Sequence, residues 1–135
     1  MAAGGGVGSL LRYVFDQVWI GNYGLTTLII NIIGSFALGF LIAGVFPRPG
    51  LPKWLAPSLG PGLLGGFTTM SGLAAWVTMY YIADQVLFVV LYVLGSVVLG
   101  LVAAWIGVEL GQRKLRADGL WVESALPEAE GPEEA

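Results

Sequence analysis

The hydrophobic residues of this chain form long unbroken stretches, unlike the short alternating or amphipathic patterns of a soluble domain. No Asp, Glu, Lys or Arg occurs within residues 17–47, 54–83 or 85–108. Each of these intervals exceeds the roughly 20 residues that a membrane-spanning helix needs. The pattern predicts an all-α membrane protein. Its four transmembrane helices are expected at about 2–19, 25–46, 54–82 and 86–111.

The first predicted helix is less purely apolar than the other three. It contains Arg12 and Asp16, so we expect it to lie partly in an interface or a wet vestibule. Its glycine-rich start, residues 4–8, does not follow a predicted strand. We interpret this start as close helix packing or a frayed helix end, and not as a nucleotide-binding loop. The N-terminus also lacks the charged and Leu-rich regions of a cleavable signal peptide.

The third predicted helix carries a polar interruption near its centre. Residues 65–71 read GGFTTMS, which places Gly, Thr and Ser in the middle of an apolar span. Unpaired backbone groups inside a bilayer cost several kcal/mol each, so such a break persists only where it lines a cavity or binds an ion. The interruption therefore predicts a site for something small at the middle of the membrane.

Composition supports one membrane domain and excludes several kinds of site. The chain is 56% hydrophobic with a mean hydropathy of +0.80, and 11% of its residues are charged, against about 25% in a soluble domain. Cys and His are absent, which removes disulfides, thiolate chemistry and histidine metal sites. We expect a four-helix transmembrane channel domain at 1–113 and an acidic, disordered cytoplasmic tail at 114–135.

The basic residues all fall on one side of the predicted bundle. An even number of spans puts both termini and the Pro-rich loop 47–53 on the same side. The six Lys and Arg residues lie at the start of the first span, in this loop or after the last span. The positive-inside rule then predicts that both termini are cytoplasmic. No basic patch indicates binding to nucleic acid.

Two lines of polar and small residues recur every four positions, so that each line occupies one helix face. Small residues on such faces let helices pack closely, whereas polar ones can also line a hydrophilic path. The sequence leaves both interpretations open for most of these positions. Asn31 favours the path, because few packing faces need two donors and an acceptor. The lines are Thr27, Asn31, Ser35, Gly39 and Tyr92, Ser96, Gly100, Ala104.

The centres of the predicted spans carry no charged side chain. A proton-coupled exporter needs a membrane-embedded carboxylate or an equivalent titrating group, so this class is disfavoured. A path lined by neutral donors suits a small hydrated anion, since such donors replace its water without trapping it. No phosphate loop, nucleophile with a base, or cluster of metal ligands indicates an enzyme.

Four segments together resemble the Fluc (CrcB-type) fluoride channels. Gly5-x-x-Gly8-x-x-x-Arg12-Tyr13 is similar to the family's opening motif. The second helix matches at Thr27-Leu28-x-x-Asn31-x-x-Gly34-Ser35-Phe36. The third matches at Gly62-x-x-Gly65-Gly66-Phe67-Thr68-Thr69-x-Ser71, and the fourth at Tyr92-x-x-x-Ser96. The similarity covers about residues 4–111 in the expected order.

The resemblance implies a passive fluoride channel in the plasma membrane of a prokaryote, built as a dimer of two antiparallel subunits. It also implies a structural sodium ion at the dimer centre, held by the backbone carbonyls of Gly65 and Thr68. Carbonyl oxygens are hard ligands that suit a hard cation. By the same resemblance, the residues that line the fluoride route are Asn31, Thr69, Met70, Ser71, Leu73, Tyr92 and Ser96.

Met70 and Leu73 stand where the family segment TTFSTF has two phenylalanines whose ring edges face fluoride. We therefore hypothesise that this chain works with a paralogous subunit of opposite orientation that carries the aromatic residues. The uneven distribution of Lys and Arg favours the same view, because a homodimer of antiparallel copies requires one chain to insert both ways. The alternatives are a non-conducting structural or regulatory subunit, and a small dual-topology exporter.

Overall fold

The computed structural model describes residues 2–18 and 23–120, and all regular structure in these two ranges is helical. The described residues form four helical regions, of which the third is segmented. The first, second and fourth regions are α1 (Ala2–Val18), α2 (Tyr23–Gly44) and α6 (Val86–Ala117). The third consists of α3 (Leu55–Pro57), a π-helical segment (Ser58–Leu64), α4 (Gly65–Phe67) and α5 (Met70–Ile82).

Two helices in the described part are long and apolar enough to cross a membrane, Gly24–Gly44 and Val86–Ala117. The other long helices, α1 and α5, have 17 and 13 residues. Many large apolar side chains on α6 are exposed, among them Leu87, Leu101 and Trp105. An exposed apolar surface of this kind suits a bilayer or a second subunit. Residues 19–22, which include the end of the first predicted span, and tail residues 121–135 lie outside the described ranges.

Small residues bring α2 and α6 into backbone contact. A Cβ atom at Gly107 would overlap the Phe36 carbonyl oxygen and lie 2.9 Å from the Phe40 nitrogen. At Gly44 it would lie 2.7 Å from the Cα of Gly111, and at Gly39 it would overlap the Ala104 carbonyl oxygen. Only glycine permits these approaches. Gly39 and Ala104, the last residues of the two lines, thus serve the packing of α2 against α6.

The glycine-rich start of the chain is helical and packs against the third region. A Cβ at Gly8 would overlap the Leu63 carbonyl oxygen, and one at Gly4 would overlap that of Ser58. Gly66 makes the reciprocal approach to Gly5. Close packing of two helices therefore accounts for Gly4, Gly5 and Gly8, whereas a Cβ at Gly6 would meet no atom within 4 Å.

The π-helical segment contains Pro61. Proline has no backbone N–H and its ring clashes with the carbonyl four residues earlier, so the helix widens locally at this position. The segment delivers Gly60, Gly62 and Leu64 to buried positions and leads directly into α4. The geometry of this segment therefore determines where along the bundle the residues of the interruption lie.

Candidate functional site

A cavity of about 640 Å³ lies between α2, the third helical region and α6. Its walls are mainly apolar, with a small number of hydroxyl, amide and backbone groups. Such a lining is typical of sites that fix a small ligand by a few polar contacts. The residues around it are Asn31, Gly34, Ser35, Leu38, Gly60, Pro61, Leu64, Gly65, Thr68, Thr69, Met70, Leu73, Ser96, Val97, Gly100, Leu101 and Ala104.

Thr68 and Thr69 are extended and separate α4 from α5. Their backbone angles are φ −75° and ψ 157° for Thr68, and φ −146° and ψ 115° for Thr69. Gly65 itself is helical, with φ −64° and ψ −32°, so the extended pair begins three residues after it. The Thr68 N–H and its Oγ1–H both donate to the Leu64 carbonyl, each at 2.9 Å. The bond from the Thr68 N–H to the Leu64 carbonyl is thus the last α-helical hydrogen bond before the interruption.

Asn31 pairs with the backbone of Thr69 through both ends of its amide. The Thr69 N–H donates to Asn31 Oδ1 at 2.9 Å, and Asn31 Nδ2 donates to the Thr69 carbonyl at 3.1 Å. Extended backbone inside an apolar bundle has no helical partners, so these two bonds replace them. Asn31 is part-buried and lines the cavity. The amide nitrogen carries a second hydrogen, for which the described residues show no acceptor.

Thr69 also caps the helix that follows it. Its Oγ1 accepts from the Gly72 N–H at 3.0 Å, the N-cap arrangement that satisfies one of the free donors of α5. The Ser71 hydroxyl lies 3.1 Å from the same Oγ1. Ser71 is exposed and does not line the cavity, although Thr69, Met70 and Leu73 do.

The carbonyls of the interruption fit a cation that prefers oxygen. Because Thr69 N–H donates to Asn31, the Gly65 carbonyl does not receive its usual bond from the residue four positions later. Gly65 and Thr68 both border the cavity. No group of three or more Asp, Glu, His or Cys residues converges within the described ranges. Carbonyl oxygens are the ligands this region offers, and they suit a hard monovalent ion.

Tyr92 and Ser96 are adjacent on α6 but have different surroundings. Ser96 lines the cavity, and its Oγ–H donates to the Tyr92 carbonyl at 2.6 Å. The Tyr92 hydroxyl donates to the Gly24 carbonyl at 2.9 Å, near the beginning of α2. Tyr92 is not among the residues that border the cavity. The structure thus brings seven of the nine predicted site residues around one space and places Ser71 and Tyr92 beside it.

Met70 and Leu73 both lie on the cavity wall. Met70 is 77% exposed, so its flexible side chain is held by few neighbours. Gly34 faces the interruption from α2, where a Cβ would overlap the Thr68 methyl group. Sequence reasoning did not identify Gly60 or Pro61 as cavity residues. The sequence feature that could have indicated them is Pro61 itself, a helix-breaking residue one turn before the interruption.

Comparison with known proteins identifies relatives over most of the chain. The family described as CrcB-like protein, Camphor Resistance (CrcB), matches residues 1–108. A "Fluoride-specific ion channel FluC" of Paracoccus denitrificans is 38% identical over 115 residues, 83% of this chain and 91% of its own. Proteins of the same name are 33% identical in Stutzerimonas stutzeri, over 83% and 94% of the two chains, and 35% identical in Roseiflexus, over 79% and 90%.

Proposed function

This chain belongs to the CrcB family, and from that membership we propose that it is a subunit of a fluoride-selective channel. It lets fluoride leave the cytoplasm passively and so lowers fluoride toxicity. The observation that carries this function is the similarity to relatives named as fluoride-specific ion channels, which extends over most of both chains. The protein is not an enzyme, as its family is one of ion channels.

Fluoride passes along the polar side of the cavity. The polar side chains that line it are neutral: the amide of Asn31 and the hydroxyls of Thr69 and Ser96, with the Ser71 hydroxyl beside that of Thr69. Such groups replace part of the anion's hydration shell without a fixed positive charge that would hold it. Asn31 has a second task, because its two bonds to Thr69 keep the extended backbone in place. Met70 and Leu73 form the apolar wall of the route.

A sodium ion would be held by the carbonyls of Gly65 and Thr68 together with the same groups of a second subunit. Support comes from the Gly65 carbonyl, which lacks its helical donor, and from the position of both residues on the cavity wall. The ion would supply positive charge at the point where two interruptions meet, and would satisfy their carbonyls.

Replacement of sodium tests this part of the proposal. Purified dimers are dialysed into potassium or N-methylglucamine salts of equal ionic strength, with sodium as the matched control. We expect both the dimer fraction, measured by light scattering, and the rate of fluoride efflux to fall severalfold without sodium. Equal dimer fraction and efflux in all three salts would remove sodium from the site.

The second subunit is inserted in the opposite orientation and is a paralogue that carries the pore phenylalanines. In the present chain both termini face the cytoplasm. The support is the charge distribution, since residues 17–47 and 54–112 contain no Lys or Arg. A chain with so strong a bias inserts in one direction, and an antiparallel assembly then needs a different partner.

Fluoride efflux from liposomes, followed with a fluoride electrode, tests the proposed function. The chain is reconstituted alone and after co-expression with a neighbouring paralogue, and chloride efflux serves as the control. We expect electrical fluoride efflux without chloride efflux in the co-expressed sample, and little from this chain alone. Full activity of this chain alone would contradict the need for a paralogue. Silence in both samples would overturn the channel function and leave a non-conducting subunit.

A further inference from the structure

Four aromatic rings cluster where α5 ends and α2 and α6 begin, away from the cavity walls. The Tyr80 ring lies at the centre, with ring centroids 6.0 Å from Trp76, 6.1 Å from Phe88 and 5.8 Å from Tyr92. This is the end of the bundle without Lys or Arg, since residues 17–47 and 54–112 contain neither. An anion at this end meets no Lys or Arg side chain, and the charged residue nearest to the cluster in sequence is Asp84, in the turn between α5 and α6.

The rings converge on Gly24. A Cβ atom at Gly24 would lie 3.1 Å from the Tyr80 hydroxyl oxygen and 3.4 Å from Cδ2 of Trp76. The Gly24 carbonyl accepts the Tyr92 hydroxyl at 2.9 Å. The hydroxyl of Tyr92 is therefore occupied by a backbone group, whereas the Tyr80 hydroxyl lies beside the same glycine and donates to none of the described residues.

The cluster adjoins the interruption through Thr27. Thr27 is 6% exposed and lies one helical turn before Asn31 on the same face of α2. Its methyl group is 3.3 Å from the position that a Cβ would take at Gly72, the residue whose N–H is capped by Thr69. The aromatic cluster and the Asn31–Thr69 pair are thus neighbours along one side of the bundle.

Two neutral donors in this cluster have no partner among the residues that the structure describes. Within the described ranges, neither the Tyr80 hydroxyl nor the Trp76 indole N–H donates a hydrogen bond to another residue, and no side-chain polar atom is both buried and unpaired. Both side chains are half-buried, so their donors face accessible space. A hydroxyl, an indole N–H and positive ring edges are chemically suited to a small hydrated anion.

We propose that Trp76 and Tyr80 form an additional fluoride-binding position, at the end of the route where the anion regains its water. The inference rests on the proposed function, since it assigns two further residues to the same route. It differs from an interfacial anchor, which Trp and Tyr also provide in membrane proteins. An anchor depends on the amphipathic ring, whereas an anion-binding position depends on the donor.

Substitutions that remove the donors and keep an aromatic ring separate these roles. Tyr80→Phe and Trp76→Phe are compared with Tyr81→Phe and Trp54→Phe, whose parent residues are 68% and 64% exposed and lie outside the cluster. Each protein is reconstituted with its partner subunit, and efflux is measured against fluoride concentration. We expect the concentration for half-maximal efflux to rise about tenfold in Tyr80→Phe and in Trp76→Phe, the effect of losing a hydrogen bond to an ion. The two controls should match the wild type.

Phe88→Leu serves as a packing probe, because it loosens the cluster without removing a donor. A shift in Phe88→Leu equal to that in Tyr80→Phe would assign the effect to packing and overturn the inference. An unchanged half-maximal concentration in both donor variants would do the same while leaving the channel function intact. If the wild-type complex itself conducts no fluoride, the proposed function fails, and this position fails with it.

Discussion

Replacement of Asn31 by alanine should slow fluoride efflux by about 100-fold while dimers persist. The change removes both bonds to Thr69 and leaves its N–H and carbonyl unpaired beside the cavity. Each lost bond costs on the order of 1–3 kcal/mol, and 1.4 kcal/mol corresponds to a factor of ten. The extended pair of threonines would shift to find other partners, and the route would lose its amide donor as well. Liposome efflux at equal dimer content measures the result.

Asn31→Asp separates the two tasks of this side chain. A carboxylate still accepts the Thr69 N–H, but it cannot donate to the Thr69 carbonyl, and it adds negative charge where an anion must pass. We expect efflux at least as slow as in Asn31→Ala. Thr78→Ala is the matched control, because the Thr78 hydroxyl is exposed and donates only within its own helix, to the Ala74 carbonyl at 2.9 Å. Wild-type efflux in either Asn31 variant would remove this residue from the pore.

Gly107→Ala should destabilise the fold by about 3 kcal/mol, the upper part of the range for overpacking. The added methyl group would overlap the Phe36 carbonyl oxygen and press on the Phe40 nitrogen. Backbone atoms cannot rotate away as a side chain could, so α2 and α6 would have to separate along their length. Thermal unfolding in detergent, with the yield of folded protein, measures the change.

Gly95→Ala is the control for this prediction, since Gly95 lies on the same helix with no atom within 4 Å of a Cβ. Alanine forms helix more readily than glycine, by roughly 0.8–1 kcal/mol. Gly95→Ala should therefore be neutral or slightly stabilising. Equal stability of the two variants would show that the close approach at Gly107 does not hold the helices together.

Much of the helical architecture could be predicted from the distribution of charge and apolar residues. The helix over Val86–Ala117 begins where it was expected but continues beyond Gly111. A glycine followed by basic residues is a common helix end, but here Gly111 is used to approach Gly44. Its absent side chain serves a contact with a distant helix, which local sequence cannot reveal. The π-helical segment around Pro61 was not predicted for a similar reason, because apolar periodicity does not distinguish it from α-helix.

The site was predictable as a set of residues, but its internal bonds were not. Asn31 was predicted to line a hydrophilic path because few packing faces need the two donors and the acceptor of an amide. Its pairing with the Thr69 backbone depends on how α2 and α5 are positioned relative to each other along the bundle axis, and tertiary packing determines that position. Likewise, the spacing of Tyr92 and Ser96 placed them on one face of α6. It could not indicate that the Tyr92 hydroxyl donates to Gly24, 68 positions away in sequence.

The two extended threonines divide one helix into two, and with it one macrodipole into two. The end of α4 presents partial negative charge from its last carbonyls, and the beginning of α5 presents partial positive charge from its first N–H groups. The negative electrostatic potential at the end of α4 and the positive potential at the beginning of α5 are therefore separated by only two residues. A single short stretch of backbone can favour a cation on one side and an anion on the other, without any ionised side chain.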